Sequence, residues 1–524
     1  MEPHVTFQPR ASAPVIPERW RTGSSTLRGR LRSDWYLVLL LAICLGRMWV
    51  MPLPSSFWLD EAATVMLAQH PDDASFNVAP QLSATIYNSL PRAVHLMVGD
   101  SEIDYRLPSL ILAALALWII GRIAARLIAP EAAWFAVFAC LAIEDFDFFA
   151  IDVRPYALGI FVVSASIWML VRWLDSGKWL DAAFFALFAG LLWRVHLAYW
   201  TFYPVYLIYA LVRLAQRERR ATWIQGIAVF AAVGVSLIPV AFDALALFHN
   251  AGTHIVAPVT SGRYFVTTLA WKQIAGAFAG ALAAGILCRR QHADRPAATA
   301  LALVALWWLG MPLLLFGMAR LSGTGIFLAR YSSPALPGAA LAATAAAAMF
   351  LPRGLWKPAG AVFALVALAM AGRWEAVWPV HAKYEDLRSM ASLADFAAAK
   401  PDTPVLVLSG FVEAVRPNWT PDYKVPGFLY CQLYVYPVQG RIFSLPFSTG
   451  PEDEAYLKHL TTETLSVGDR FVLYGVGRNA SLWVNYLRKL PELAGWQMTY
   501  KTKGELLVAV FDRFGLSGID DEAF

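Results

Sequence analysis

Charged side chains are scarce in this chain: Asp, Glu, Lys and Arg make up 15% of its 524 residues, while apolar types make up 58%. A soluble globular protein carries about a quarter charged residues, so that class is excluded and a polytopic membrane protein is indicated. Cysteine is scarce too. Cys44, Cys140 and Cys288 fall within or at the ends of apolar runs and leave Cys431 alone in the polar tail, which excludes a disulfide framework and a cysteine metal site. Up to Arg32 the chain lacks a short apolar core followed by a small-residue cleavage site. Residues 1–34, rich in Pro and Arg, therefore read as a cytoplasmic tail rather than a cleaved signal peptide. No internal repeat is present. The net charge of +5 does not imply a nucleic-acid partner, because Lys and Arg cluster in short loops between apolar runs, where they set membrane orientation.

What the chain has instead is apolar length. A membrane-spanning helix needs about twenty apolar residues, and about eleven such runs can be counted. They lie near 35–54, 106–127, 132–150, 155–173, 179–194, 197–215, 222–242, 264–287, 297–319, 332–351 and 358–378. Basic residues fall on one side: Arg28, Arg30 and Arg32; Arg122 and Arg126; Arg172 and Lys178; Arg213, Arg217, Arg219 and Arg220; Arg289, Arg290 and Arg295; Arg353 and Lys357. That side is expected to be cytoplasmic. An odd number of spans then puts residues 379–524 outside, in a bacterial periplasm.

The carboxylates gather on the opposite face. The first outer loop, 55–105, carries Asp60, Glu61, Asp72, Asp73, Glu102 and Asp104, and the second carries Glu144, Asp145, Asp147, Asp152 and Arg154. Leu59 to Gln69 and Ile86 to Val98 have the apolar spacing of short helices lying in the membrane interface. Beyond 379 the texture changes to short β-like runs, Val405–Leu408, Phe471–Tyr474 and Leu506–Val510, with a helical stretch from Leu482 to Leu490. The expected fold is mainly α: a polytopic membrane helix bundle over 35–378 followed by a small periplasmic α/β domain over 379–524.

Several short motifs line up in a fixed order. Trp58-Leu59-Asp60-Glu61-Ala62 follows the first run, and Gly99-Asp100-Ser101-Glu102 leads into Tyr105-Arg106-Leu107-Pro108-Ser109. Asp152-Val153-Arg154-Pro155-Tyr156 follows the third run, and Arg330-Tyr331 precedes Pro334 and Pro337. In this order the chain resembles the GT-C glycosyltransferases, in particular the branch of the lipid A aminoarabinose transferase and the rhizobial lipopolysaccharide galacturonosyltransferases. The resemblance covers residues 35 to 350 and is strongest before 175. It implies transfer of a sugar from a polyprenyl-phosphate carrier to a cell-envelope acceptor, a glycolipid or lipopolysaccharide, on the periplasmic face of the inner membrane, with inversion at the anomeric carbon. It also implies that Asp60 is the catalytic base, with Glu61 and Asp152 as further acids and Arg154 and Tyr156 beside the substrate. One departure stands out: many relatives have His-Pro-Pro-Leu-Tyr where this chain has Ser83-Ala84-Thr85-Ile86-Tyr87.

Glycosyl transfer from a phosphate needs a proton acceptor, cationic support for the leaving phosphate and exclusion of water. Arg154, Arg194, Arg263, Arg320 and Arg330 are placed to be the cations, with Tyr156 and Tyr331 nearby in sequence; an arginine fork suits a phosphate, although snorkelling to lipid headgroups is its commoner use at span ends. His196, His249 and His254 with the loop acids admit a divalent ion, Mg, Mn or Zn, without a fixed ligand spacing. Two other classes fit the composition: a transporter of polyprenyl-linked lipid, and an envelope assembly subunit. A transporter would carry paired charges at mid-span and related halves, neither of which is present.

Overall fold

The computed structural model describes residues 34–78, 85–216, 220–250, 259–288, 296–370, 386–411, 414, 427–447, 449–476, 479–503 and 506–515, without the side chains of 246–250. The tail before Asp34, Ser83, Ala84 and His254 lie outside these residues, as does the side chain of His249. Helix α1, Trp35–Leu45, runs on into a π-helical turn, Gly46–Val50. Then come α2 (Leu59–Gln69), α3 (Ser89–Met97) and α4 (Glu102–Leu127). The run at 132–150 is helical but broken, into α5 (Ala132–Leu141) and α6 (Glu144–Ala150). The break falls where Glu144, Asp145 and Asp147 enter, and three acids in a first turn favour a fresh helix N-terminus over the middle of a longer helix.

The bundle continues with α7 (Tyr156–Ser176), α8 (Trp179–Val195), α9 (Tyr203–Leu214), α10 (Trp223–Asn250), α11 (Gly262–Thr267), α12 (Trp271–Leu287), α13 (Ala298–Ser322), α14 (Leu336–Ala348) and α15 (Trp356–Met370). The described part of each apolar run thus falls largely on helix, residues 371–378 of the last run lying outside the described residues, but the run at 264–287 is also interrupted, at Ala270, whose φ of 50° is left-handed. Among the described residues six helical stretches are long and apolar enough to cross a bilayer: 102–127, 156–176, 197–214, 223–245, 298–322 and 353–370. In the alanine-rich α14 nearly every residue is buried, as expected where small side chains let helices approach closely.

The C-terminal region adds α16 (Leu387–Ala398), α17 (Cys431–Val435), α18 (Pro451–Leu460) and α19 (Asn479–Leu487) around a five-stranded sheet. Its strands are β1 (Pro404–Leu408), β2 (Arg441–Leu445), β3 (Arg470–Val476), β4 (Gln497–Lys503) and β5 (Leu506–Asp512), in the order β2-β1-β3-β5-β4. β1 lies parallel to β2 and β3, while β5 runs antiparallel to β3 and β4. The three central strands are those the apolar runs indicate. The edge strands β2 and β4 are largely exposed and so lack the apolar signature of buried strands. One face of the sheet packs against α16, α17 and the Leu59, Ala62, Ala63, Met66 and Leu67 face of α2. The other packs against α18 and α19.

Close packing of α13 on α14 rests on Gly338: a Cβ there would meet the backbone of Trp307 and Trp308 at 2.5–2.6 Å. We expect Gly338→Ala to separate the two helices and lower stability by about 1–3 kcal/mol. The measurement is thermal unfolding in detergent, with Gly317→Ala, where no atom lies within 4 Å of the added Cβ, as the silent control.

Candidate active site

The site is built around the turn that starts α2. Trp58 is extended and Glu61 folds back so that its Oε2 accepts the Trp58 backbone N–H at 3.3 Å. Glu61 is fully buried and meets Arg106, itself fully buried in α4, through two bonds: Nε to Oε1 at 3.1 Å and Nη2 to Oε2 at 2.6 Å. Oε1 also accepts the Val153 N–H at 2.9 Å. Arg106 spends its remaining donors on the carbonyls of Leu53, Ser55 and Ser56 and on the Ser55 hydroxyl. A buried ion pair is tolerated when its remaining hydrogen-bonding capacity is used in this way. The pair knots three separate stretches of chain together: the loop 53–61, helix α4 and the corner 152–154.

Asp60 points to the other side of the same turn. Its Oδ2 accepts a hydrogen bond from Arg330 Nη1 at 2.9 Å and faces Arg154 Nη2 at 3.8 Å. Oδ1 has no hydrogen-bond partner among the described residues. Arg154 Nη1 also donates to the Thr64 hydroxyl at 3.1 Å, one helical turn on. Both arginines sit where burial disfavours their charge, but the Asp60 carboxylate and neighbouring tyrosine oxygens outweigh that and hold the guanidinium pKa above its ordinary value. Asp152 is buried beside them; its Oδ1 accepts the Trp58 indole N–H at 3.0 Å, and its carbonyl accepts the Ser109 hydroxyl at 2.6 Å.

Several donors around this point remain unused. Arg154 Nε, Arg330 Nε, the Tyr156 hydroxyl and the Ser332 hydroxyl are buried without a hydrogen-bond partner. Each such group costs about 1–3 kcal/mol, so a cluster of four marks a place prepared for something else to accept from it. The wall is aromatic: the His196 ring lies 4.8 Å from Tyr331, 5.1 Å from Tyr199 and 6.3 Å from Tyr156. His196 Nδ1 accepts the Ala198 N–H at 3.2 Å, which leaves the proton on Nε2. Burial first, and then the positive charges of Arg154 and Arg330, push the His196 pKa down to about 3, so the ring is neutral.

Of the residues singled out in the sequence, Asp60, Asp152, Arg154, Tyr156, Arg330 and Tyr331 come together here. Glu61 is adjacent but fully engaged by Arg106 and backbone N–H groups. Arg194 lies elsewhere, donating to the carbonyls of Gly190 and Ser236 at 2.7 Å each and so bracing α8 against α10. Among the described residues no three His, Cys, Asp or Glu side chains converge on a metal-sized point, and the cationic role beside Asp60 is filled by guanidiniums. Sequence reasoning gave no role to Arg106, Ser332, Thr64 or Trp58. Trp58 and Arg106 stood within the motifs quoted above, and Arg106 is in addition a charge just inside an otherwise apolar run.

Residues 87–242 match the family model described as dolichyl-phosphate-mannose-protein mannosyltransferase. The fold is similar to that of ArnT from Cupriavidus metallidurans. Against the structure bound to undecaprenyl phosphate the TM-score is 0.52, with 13% identity over 91% of this chain and 98% of that one. Against the apo structure it is 0.54, with the same identity and coverage. The chain thus has the fold of ArnT, and one stretch of it is similar to a glycosyltransferase family. The matched segment begins at the Tyr87 that bonds Ser109 and runs through Arg106, Asp152, Arg154, Tyr156 and His196, so it contains much of the site just described. At this identity the ArnT likeness establishes the GT-C fold and no substrate. No curated protein matches the sequence.

Two outcomes follow from this geometry. Arg106→Ala strands the Glu61 carboxylate in a buried site and is expected to cost about 3–5 kcal/mol, read as a lower unfolding temperature and a reduced yield of monodisperse protein in detergent. For His196, with a folded pKa near 3 against 6.5 for the free side chain, the unfolded chain takes up a proton between those values that the folded chain refuses. Stability from this group is therefore present above 6.5 and lost as pH falls toward 3. Unfolding temperatures at pH 7 and pH 4 should differ less in His196→Gln than in the parent protein.

Proposed function

We propose that this protein transfers a sugar from a polyprenyl-phosphate carrier to a hydroxyl of a cell-envelope acceptor, a glycolipid or lipopolysaccharide, at the periplasmic face of a bacterial inner membrane. The observation that carries the reading is the pairing of Asp60 with Arg154 and Arg330, whose Nε groups, together with the Tyr156 and Ser332 hydroxyls, are buried donors without partners. A carboxylate with an uncommitted oxygen next to unsatisfied donors suits a proton acceptor set beside an anion. That ArnT has been solved with undecaprenyl phosphate bound supports a polyprenyl phosphate as the carrier.

In this mechanism Asp60 Oδ1 takes the proton of the acceptor hydroxyl as its oxygen attacks the anomeric carbon. The bond from that carbon to the carrier phosphate oxygen breaks on the opposite side, so the configuration inverts. The electron pair leaves with the polyprenyl phosphate, whose charge is met by Arg154 and Arg330, with Tyr156 donating from the wall. Preorganised charges in a site shut off from water are worth more than the same charges in solution. Tyr331 and the neutral His196 supply an uncharged aromatic flank for the sugar. Asp152, tied to Trp58, holds the α2 turn and the Arg154 corner in one frame, and Glu61 serves the same frame through Arg106. The domain division follows: 35–378 forms the transferase bundle, with its first loop at 55–105, and 379–524 forms the periplasmic α/β domain.

The test is mass spectrometry of envelope glycolipids from cells with the gene, without it, and carrying Asp60→Asn at equal protein level. Loss of one sugar mass in both the deletion and the variant is expected, with transfer in membranes lowered by about 10²–10⁴-fold, the range for a removed general base. A variant that restores the sugar in full would remove Asp60 from this role.

A further inference from the structure

The α/β domain does more than cover the bundle. Helix α2, which carries Asp60 at its start, is shared between two cores. Its Leu59, Ala62, Ala63, Met66 and Leu67 are built into the core of the α/β domain with Met390, Ala394, Val407 and Phe428. Its Val65 and Ala68 pack the other way, against Phe57, Val94, Tyr105 and Val153. The turn before α2 is gripped from the same domain. The Tyr436 hydroxyl accepts the Phe57 backbone N–H at 2.9 Å and donates to Glu102 Oε1 at 2.8 Å. Glu102 is also ion-paired with Arg388, whose backbone N–H donates to the Ser56 hydroxyl at 3.1 Å and whose Nη2 donates to the Pro54 carbonyl at 3.3 Å. Cys431 Sγ lies 3.6 Å from the carbonyl of Leu59. Every backbone group so held lies within six residues of Asp60.

On the reading that Asp60 is the base, we propose that the C-terminal α/β domain sets the position of that carboxylate, and that Tyr436 is the positioning residue through which it does so. The physical argument is one of tolerance. Arg106 fixes the loop from the bundle side at Leu53, Ser55 and Ser56, but its bonds stop two residues short of Trp58. Phe57, the next residue along, has its N–H held by Tyr436. With that bond gone the segment keeps its packing and the Glu61 cap on the Trp58 N–H, but Phe57 loses the side-chain hydrogen bond that ties its backbone to the α/β domain. A shift of about 1 Å at a reacting group can cost about 100-fold in rate. Burial, then the Glu102 carboxylate, push the Tyr436 hydroxyl up to about 12, so it stays protonated and able to donate throughout the working range.

The experiment uses the full chain in proteoliposomes, comparing Tyr436→Phe with Tyr434→Phe. Tyr434 lies two residues away and bonds His70 at the far end of α2, so it controls for general loosening of the segment. Three quantities are read: the transfer rate with the donor identified by the glycolipid comparison, the affinity for undecaprenyl phosphate as probe, and the unfolding temperature. Tyr436→Phe is expected to slow transfer by about 10- to 100-fold per folded molecule with probe affinity unchanged and a modestly lower unfolding temperature, since the Phe57 N–H loses its acceptor, while Tyr434→Phe stays near the parent rate. Adding Glu102→Gln to Tyr436→Phe should slow transfer no further than Tyr436→Phe alone, because both act through one network. A parent-like rate in Tyr436→Phe overturns the proposal, and so does a rate loss that tracks lost affinity or that vanishes when rates are expressed per folded molecule. If Asp60→Asn is inactive and Tyr436→Phe is fully active, this inference alone falls; if Asp60→Asn is active, the reading beneath it falls.

Discussion

The buried pair of Glu61 and Arg106 is the constraint on which the rest of the site depends. An arginine and a carboxylate removed from water are costly unless their donors and acceptors are used up, and here they are, on the carbonyls of the loop after α1 and the N–H groups of Trp58 and Val153. The same bonds fix the relative positions of α2, α4 and the 152–154 corner. Asp60 and Arg154 approach each other because their neighbours in sequence, Glu61 and Val153, are bonded to each other. The side chains of Asp60 and Arg154 are therefore held in place by residues packed behind them, so that a carboxylate is kept beside two guanidiniums without a rigid local scaffold of its own.

Around that frame the molecule divides its labour by polarity. The bundle supplies length, apolar surface and the arginines at 154 and 330. The α/β domain supplies a core that takes one face of α2 and a set of polar clamps at Glu102, Phe57 and Ser56. Four of the unpaired buried donors among the described residues, on Arg154, Tyr156, Arg330 and Ser332, gather beside Asp60. The neutral ring of His196 and the tyrosines beside it line the site without adding charge, which leaves Asp60, Asp152, Arg154 and Arg330 as its charged groups.

Much of the architecture was written in the sequence because hydrophobicity is a local property of a stretch of chain. The described part of each apolar run falls largely on helix, α2 has the bounds its spacing indicates, and the three buried strands coincide with apolar runs. The breaks at Ala142-Ile143 and at Ala270, and the exposed strands β2 and β4, were not legible, since their signal lies in acids, backbone torsions and edge pairing rather than in apolar composition. Of the site, Asp60, Arg154 and Arg330 were marked by charge next to span ends, and Tyr156 by the family resemblance.

What no stretch of sequence encodes is which of these meet. Asp60 and Arg330 are separated by 270 positions, and Arg194 has the same local credentials as Arg330 yet bonds helix carbonyls instead. Glu61 and Asp60 are adjacent and chemically alike, but the helical twist turns one toward Arg106 and the other toward Arg154 and Arg330. Composition decided that this chain would be helical and membrane-bound, because burial of apolar surface sums residue by residue. Only tertiary structure decided which carboxylate would be locked and which left with an oxygen to spare, because that depends on distances between groups that the chain brings together from far apart.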